Sequence, residues 1–144
     1  MVLLPGPGRQ SLRAGGLGVR AAKHWAEAYE RAWRAGDGEA AGALYAEDCV
    51  FRSHPYRELE DARAYMRRVV PEAEAPEVWF GEPVEQEDRA AIEYWALLFE
   101  PNGDESTIAG CHVVRFGDDG LVAEARDYWH LEPGHREPPP EWGC

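Results

Sequence analysis

Four side chains stand where an ionisable or polar group could do chemistry: Tyr29, His54, His112 and Asp127. His54 directly precedes Pro55, and a proline cannot donate to a strand ladder, so a strand must end there or lie on a sheet edge. That holds His54 at a strand end, beside whatever space the rest of the chain encloses. His112 lies in mid-strand, flanked by Cys111 and Val113. Asp127 is costly to bury alone, so it is expected to pair with His54, His112 or Arg126 and to titrate together with a histidine. A neutral imidazole is a competent general acid or base near neutral pH, and a carboxylate on its second nitrogen fixes the tautomer. A tyrosine hydroxyl such as that of Tyr29 can donate to a developing oxyanion. Together these groups suit proton abstraction beside a carbonyl, dehydration or water addition. Two histidines with carboxylates could also form a two-histidine, one-carboxylate metal site, although no spacing here is diagnostic of one. Each residue also has a structural reading, as a core side chain with its polar atom satisfied.

The elements that must position them follow from periodicity. Residues 1–18 hold five Gly, two Pro and two Arg and read as a disordered arm. Val19 to Ala35 is an amphipathic helix with Ala22, Trp25, Tyr29, Ala32 and Trp33 on one face. Gly36 ends it, and Asp37 caps a short second helix over Gly38 to Tyr45. A turn at Glu47-Asp48 leads into a strand from Asp48 to His54. A third helix, Glu58 to Val70, carries Leu59, Ala62, Tyr65, Met66, Val69 and Val70 as its stripe, and Pro71 stops it. After a connector over 71–77, four strands are expected: Val78–Glu85, Ala90–Glu100, Ser106–Phe116 and Leu121–Leu131. Asn102-Gly103 and Gly117-Asp118-Asp119-Gly120 are the turns of an antiparallel meander. Helices first and a meander afterwards define an α+β fold. The domain is expected over 19–132, and the Pro-rich tail, 133–144, is expected to cross the surface without joining the core.

Composition limits the partners. The formal charge of -12, from 27 acids against 15 bases, argues against nucleic acid and anionic membranes, which need a basic footprint. Six tryptophans among 144 residues can fill a core or line a pocket for an apolar ligand. Cys49, Cys111 and Cys144 have no paired spacing and fit a reducing cytoplasm. The apolar run Met1–Leu4 is too short for a signal-peptide core.

Several short motifs, in order, resemble the NTF2-like superfamily, in the style of its SnoaL-like and ketosteroid-isomerase-like branches. They are Tyr29-Glu30-Arg31-Ala32-Trp33-Arg34-Ala35-Gly36-Asp37, then Leu44-Tyr45-Ala46-Glu47-Asp48, His54-Pro55, the hairpin from Arg115-Phe116 to Gly120-Leu121-Val122, and Arg126-Asp127-Tyr128-Trp129. The resemblance spans roughly residues 20–132. It implies three helices packed on one face of a strongly curved, mostly antiparallel sheet that encloses a pocket, working without cofactor or metal. It places Tyr29 at the family's oxyanion tyrosine, His54 at the general-base aspartate and His112 at the second oxyanion donor. Two of these three positions carry a different residue type, so the steroid isomerase reaction itself is not implied. The same register turns Glu93, Trp95, His112, Asp127 and Trp129 inward.

The expected site is therefore a cavity holding Tyr29, His54, His112 and Asp127, with Trp25, Trp33, Glu93, Trp95 and Trp129 as ligand-binding walls. Ile92, Tyr94, Ala96, Leu98, Cys111, Val113 and Tyr128 would then form an outer apolar face, suited to a homodimer. Three functions fit: a cofactor-independent acid/base enzyme acting on a small apolar molecule, a non-catalytic binding module with the same pocket, or a dimeric interaction protein. A ligand pocket is the favoured reading.

Overall fold

The first helix, α1, helical over 21–35, is terminated by stereochemistry. Gly36 takes a φ of 67°, a conformation that favours glycine, and its amide donates to the Trp33 carbonyl at 3.0 Å. The computed structural model describes residues 21–72 and 77–144. The expected N-terminal arm lies outside the described residues. Asp37 caps α2 (Gly38–Gly42), accepting from the Ala40 amide at 3.0 Å. This helix is shorter than its alanine-rich sequence suggests. Gly38 and Gly42 press against α3 (Ala62–Val69), where a Cβ on Gly38 would lie 2.6 Å from the Met66 carbonyl oxygen. The chain then leaves the helix, and the Val122 amide donates to the Leu44 carbonyl at 3.1 Å.

Strand β1 accordingly runs Tyr45–Arg52, starting and ending earlier than expected. The expected turn at Glu47-Asp48 is an irregularity within it, because its pairing shifts between Tyr45 and Val50. The third helix also starts late. Glu60 forms a bridge with Phe51, leaving Leu59 55% exposed and outside the apolar stripe, and Asp61 caps α3 by accepting from the Ala64 amide at 3.0 Å. The α-helix stops at Val69, just ahead of Pro71, which sits in a 3-10 turn over Val70–Glu72.

The expected Val78–Glu85 strand is two strands, β2 (Glu77–Phe80) and β3 (Val84–Gln86), each paired antiparallel with a different stretch of β4 (Arg89–Phe99). Gly81 and Pro83 separate them, and Pro83 has no amide to donate. With β5 (Glu105–Phe116) and β6 (Val122–Pro133), the sheet order is β1-β6-β5-β4-β2, with β3 beside β4. Only the β1–β6 pairing is parallel, so the sheet is mixed but mostly antiparallel, and it curls without closing.

The three described helices meet one face of this sheet. Trp25, Tyr45, Phe51 and Met66 from the N-terminal half are buried in one cluster with Ile92, Val114 and Val122 from the strands. Trp25 is the hub, with edge-on contacts to the rings of Tyr29, Tyr45 and Phe80. The other face is partly covered by the tail. Thr107 donates to the Gly134 carbonyl at 2.8 Å, the Trp95 indole N–H to the Arg136 carbonyl at 2.7 Å, and the Glu82 amide to the Gly143 carbonyl at 2.8 Å. Residues 134–144 thus pack onto the outer face instead of merely crossing it, and Leu97 beneath them is 1% exposed.

Candidate functional site

Cross-strand register decides which side chains share a face, since directly opposed residues point the same way. Ile92 opposes His112 and Tyr94 opposes Gly110; His112 in turn opposes Asp127 and Gly110 opposes Trp129. The inward face therefore carries Ile92 and Tyr94 from β4, His112 from β5, and Asp127 and Trp129 from β6. A cavity of about 260 Å³ opens between this face, α1 and α3. Tyr29 and Trp33 line it from α1, Tyr65 and Val69 from α3, and Leu98, Ile108 and Leu131 extend its apolar wall along the strands.

The polar centre of the cavity is a chain of three residues. The Tyr94 hydroxyl donates to Oδ1 of Asp127 at 2.9 Å, and the same oxygen lies 3.6 Å from Nδ1 of His112. The His112 ring stacks on Tyr94 with centroids 4.6 Å apart and meets the edge of Trp25 at 5.2 Å. Burial pushes the Asp127 carboxyl up to about 8, against the opposing pull of the Tyr94 hydrogen bond and the Arg57 charge. Burial also holds His112 down, at about 3. Burial raises the Tyr29 hydroxyl and, well above its ordinary value, that of Tyr94, so both remain protonated donors. At neutral pH the two partners are thus a carboxylic acid and a neutral imidazole. His112 is the partner of Asp127 among the three expected, and burial drives both groups toward their uncharged forms. Asp127 still exposes 16% of its side-chain surface, so the acid can be reached.

Gly110 makes this geometry possible. A Cβ there would fall 2.5 Å from the Tyr128 carbonyl oxygen, 2.7 Å from the Tyr94 hydroxyl and 2.8 Å from Cβ of Trp129. The missing side chain is the space through which the Tyr94 hydroxyl reaches Asp127.

The structure brings Tyr29, His112 and Asp127 to one cavity, with Trp33 and Trp129 in its wall. The Tyr29 hydroxyl is turned to the sulfur of Met66 at 3.4 Å. Trp25 stands behind the cavity in the core, not on its wall. His54 is not brought in. Because β1 ends at Arg52, the chain turns before reaching it, and its ring packs against Trp129 at 4.9 Å while Nδ1 accepts from the Tyr56 amide at 3.3 Å. Glu93 and Trp95 point to the opposite face, because Glu93 opposes Cys111 and Trp95 opposes Ala109. By the same register, Ile92, Tyr94, Ala96 and Leu98 are inward and not part of an outer dimer face. The charge on Glu93 was the available signal: in β4 only the Ile92-Tyr94-Ala96-Leu98 set is free of a charged residue at its centre. This error hid Tyr94; Arg57, Tyr65 and Gly110 were missed as site residues because only the folded chain brings them to the cavity. Among the described residues, no three His, Cys, Asp or Glu side chains gather closely enough to hold a metal.

A curled, unclosed sheet with helices packed on its inner face defines an α+β domain. The chain belongs to the SnoaL-like domain family, whose sequence model matches residues 26–125. Comparison with curated protein sequences finds no match. Solved structures sharing the fold include the epoxide hydrolase/cyclase-like enzyme SalBIII, described for its role in pyran ring formation in the polyether salinomycin. It is 17% identical with a TM-score of 0.66, and the match covers 78% of this chain and 95% of that one. RV0760c from Mycobacterium tuberculosis, in complex with estradiol-17beta-hemisuccinate, is 20% identical with a TM-score of 0.64, over 77% and 97% of the two chains. The Delta 5-3-ketosteroid isomerase from Mycobacterium sp. is 19% identical with a TM-score of 0.64, over 82% and 98%. No helix among the described residues is long and apolar enough to cross a membrane.

Proposed function

We propose that this protein binds a small, largely apolar molecule in the cavity and performs cofactor-independent acid/base chemistry on it, as an isomerisation, dehydration or hydration. The observation that carries the reading is Asp127, a carboxyl held protonated by burial at the end of an apolar cavity and hydrogen-bonded by Tyr94. A neutral carboxylic acid in a water-poor site can donate to a substrate oxygen as negative charge develops on it. If the proton passes to that oxygen, the carboxylate left behind keeps the Tyr94 hydrogen bond, which lowers its cost. His112, neutral and stacked against Tyr94, positions the pair rather than carrying charge. The isomerase and the epoxide hydrolase/cyclase-like enzyme that share the fold are consistent with such chemistry, but a fold alone does not select a reaction.

The test is an unbiased ligand screen of the purified protein by native mass spectrometry and thermal shift, followed by turnover assays. Asp127→Asn should fold, retain ligand binding and lose turnover. A ligand returned unchanged by the wild type would favour a non-catalytic binding module instead. Homodimerisation through the outer face belongs to the same proposal, with Cys111, Val113 and the 43%-exposed Tyr128 as its apolar part and the tail at its border. Sedimentation at micromolar concentration should give the mass of two chains; a monomer would remove that element. The three free cysteines support a reducing, cytoplasmic location.

A further inference from the structure

The cavity mouth carries a cation that acid/base chemistry at Asp127 does not need. Arg57 lines the mouth beside Trp129, and its guanidinium lies 5.3 Å from the centroid of the Trp129 ring. The arrangement is fixed from both sides. Nη1 of Arg57 donates to Ser53 Oγ at 3.2 Å, and the Trp129 indole N–H donates to the Ser53 carbonyl at 2.6 Å. Ser53 is fully buried, and its own hydroxyl donates to Glu60 at 2.7 Å. The backbone is held as well: the Arg57 amide donates to the His54 carbonyl at 3.0 Å, and Arg52 donates to the Arg57 carbonyl.

What Arg57 lacks is an anion. Among the described residues, the arginine ion pairs are those of Arg34, Arg67, Arg68, Arg115 and Arg136. The nearest acid of its network, Glu60, is engaged by Arg68 at 3.4 Å and by Ser53. Burial raises both Tyr65 and Asp127, and the Arg57 charge reaches into the cavity to oppose that rise at each. Glu72 and Glu100 share the rim, so the mouth as a whole is not basic. An anion would be admitted only on the Trp129 side, where a guanidinium fork stands preorganised with unused donors.

We propose that Arg57 is an anion-anchoring residue and that the cavity's ligand is an apolar carboxylic acid, its carboxylate on Arg57 at the mouth and its apolar body running inward toward Tyr94 and Asp127. The proposal rests on the reading of the cavity as a ligand site. It narrows the ligand class and sets its polarity, with the charged end outward and the reacting end inward. A cavity of about 260 Å³ suits a one- or two-ring body.

Two probes of matched shape test it: 2-naphthylacetic acid and 2-naphthylacetamide, titrated against the full chain at neutral pH by calorimetry. The wild type should bind the acid about tenfold more tightly than the amide, the scale of one charge-assisted hydrogen-bonded pair. Arg57→Gln should erase the preference, with the acid losing much more affinity than the amide, and Arg57→Lys should restore part of it. Equal affinity of the wild type for both probes, or a preference that survives in Arg57→Gln, overturns the anion anchor and leaves the cavity standing. Failure of both probes to bind the wild type overturns the anchor and the reading of the cavity together.

Discussion

The two faces of β4, β5 and β6 are built from the same strands and alternate residue by residue, yet they solve opposite problems. The inner face meets the helices, and every ionisable group on it is driven toward neutrality: Asp127 up to about 8, His112 down to about 3. The outer face keeps its charges. There Arg115 and Glu124 pair at 3.2 Å with both side chains about 40% exposed, and Glu93 faces out. Its largest ring, Trp95, is sheltered by the Arg136 backbone carbonyl and by Trp142, whose ring centroid lies 6.1 Å away. A charge outside is solvated, whereas a proton inside is retained because too little water remains to solvate the carboxylate its loss would leave. The proposed chemistry is placed on the inner face for that reason.

Exchanging the rules at two adjacent residues should break the contrast most sharply. Ile92 is fully buried and Glu93 exposed, one residue apart on β4. Ile92→Asp is expected to cost at least about 3–4 kcal/mol or to prevent folding, from a lost apolar side chain and an unpaired buried carboxyl. Glu93→Ile should change stability by less than about 0.5 kcal/mol. Urea unfolding of both variants checks this. Comparable losses would mean the two faces are not distinct.

A smaller but more local break is Gly110→Ala. The added methyl would sit 2.7 Å from the Tyr94 hydroxyl and 2.5 Å from the Tyr128 carbonyl oxygen. About 1–3 kcal/mol of overpacking is expected. The more telling readout is the Asp127 carboxyl, whose infrared C=O band should shift as Tyr94 is displaced. An unshifted band would mean the glycine is a packing convenience only.

The fold was legible because its signals are local. The α1 stripe of Trp25, Tyr29 and Trp33, the Gly36 stop, the Asp37 cap and the Asn102-Gly103 hairpin each act within a few residues. The inward placing of His112 and Asp127 also agreed with the structure. What failed was relative phase. Within β4 alone, Glu93/Trp95 and Ile92/Tyr94 are both plausible inner sets, and only pairing with β5 decides between them. One wrong phase sent Glu93 and Trp95 to the site and Tyr94 to the dimer face. His54 failed for a different reason: two glycines pressed against α3 shorten α2, β1 starts at Tyr45, and the strand is used up before His54. Neither long-range contact leaves a mark in the periodicity.

The retained proton on Asp127 also makes a prediction in pH. The unfolded chain releases this proton near 3.8, the folded protein near about 8, so the folded state binds more protons between those values and stability falls as pH rises through them. His112 acts in the opposite direction: its unfolded form holds a proton up to 6.5, its folded form only to about 3, so stability rises with pH over that interval. The two slopes oppose each other through mildly acidic pH. Above the unfolded histidine value Asp127 acts alone and should remove about 2 kcal/mol by about pH 8. Unfolding free energies measured at both ends of that upper window should show the decline in the wild type and its loss in Asp127→Asn. A flat wild-type profile would mean the carboxyl is already ionised in the folded protein.

The mildest change, Tyr94→Phe, probes the same proton from the other side. The hydroxyl donates to Oδ1 of Asp127 at 2.9 Å, and such a bond favours the charged form of its acceptor. Its removal should therefore raise the Asp127 value further above about 8, not lower it. Because the ring remains to stack on His112 and contact Trp33, the cost in stability should be only about 1 kcal/mol, that of one hydrogen bond. The carboxyl titration, followed by carbon NMR of labelled aspartate, gives the direction. An upward shift with a small stability loss fits a tyrosine that tempers a proton retained by burial. A downward shift would mean that Tyr94 stabilises the neutral acid, and the inner face would then hold the proton by hydrogen bonding rather than by exclusion of water.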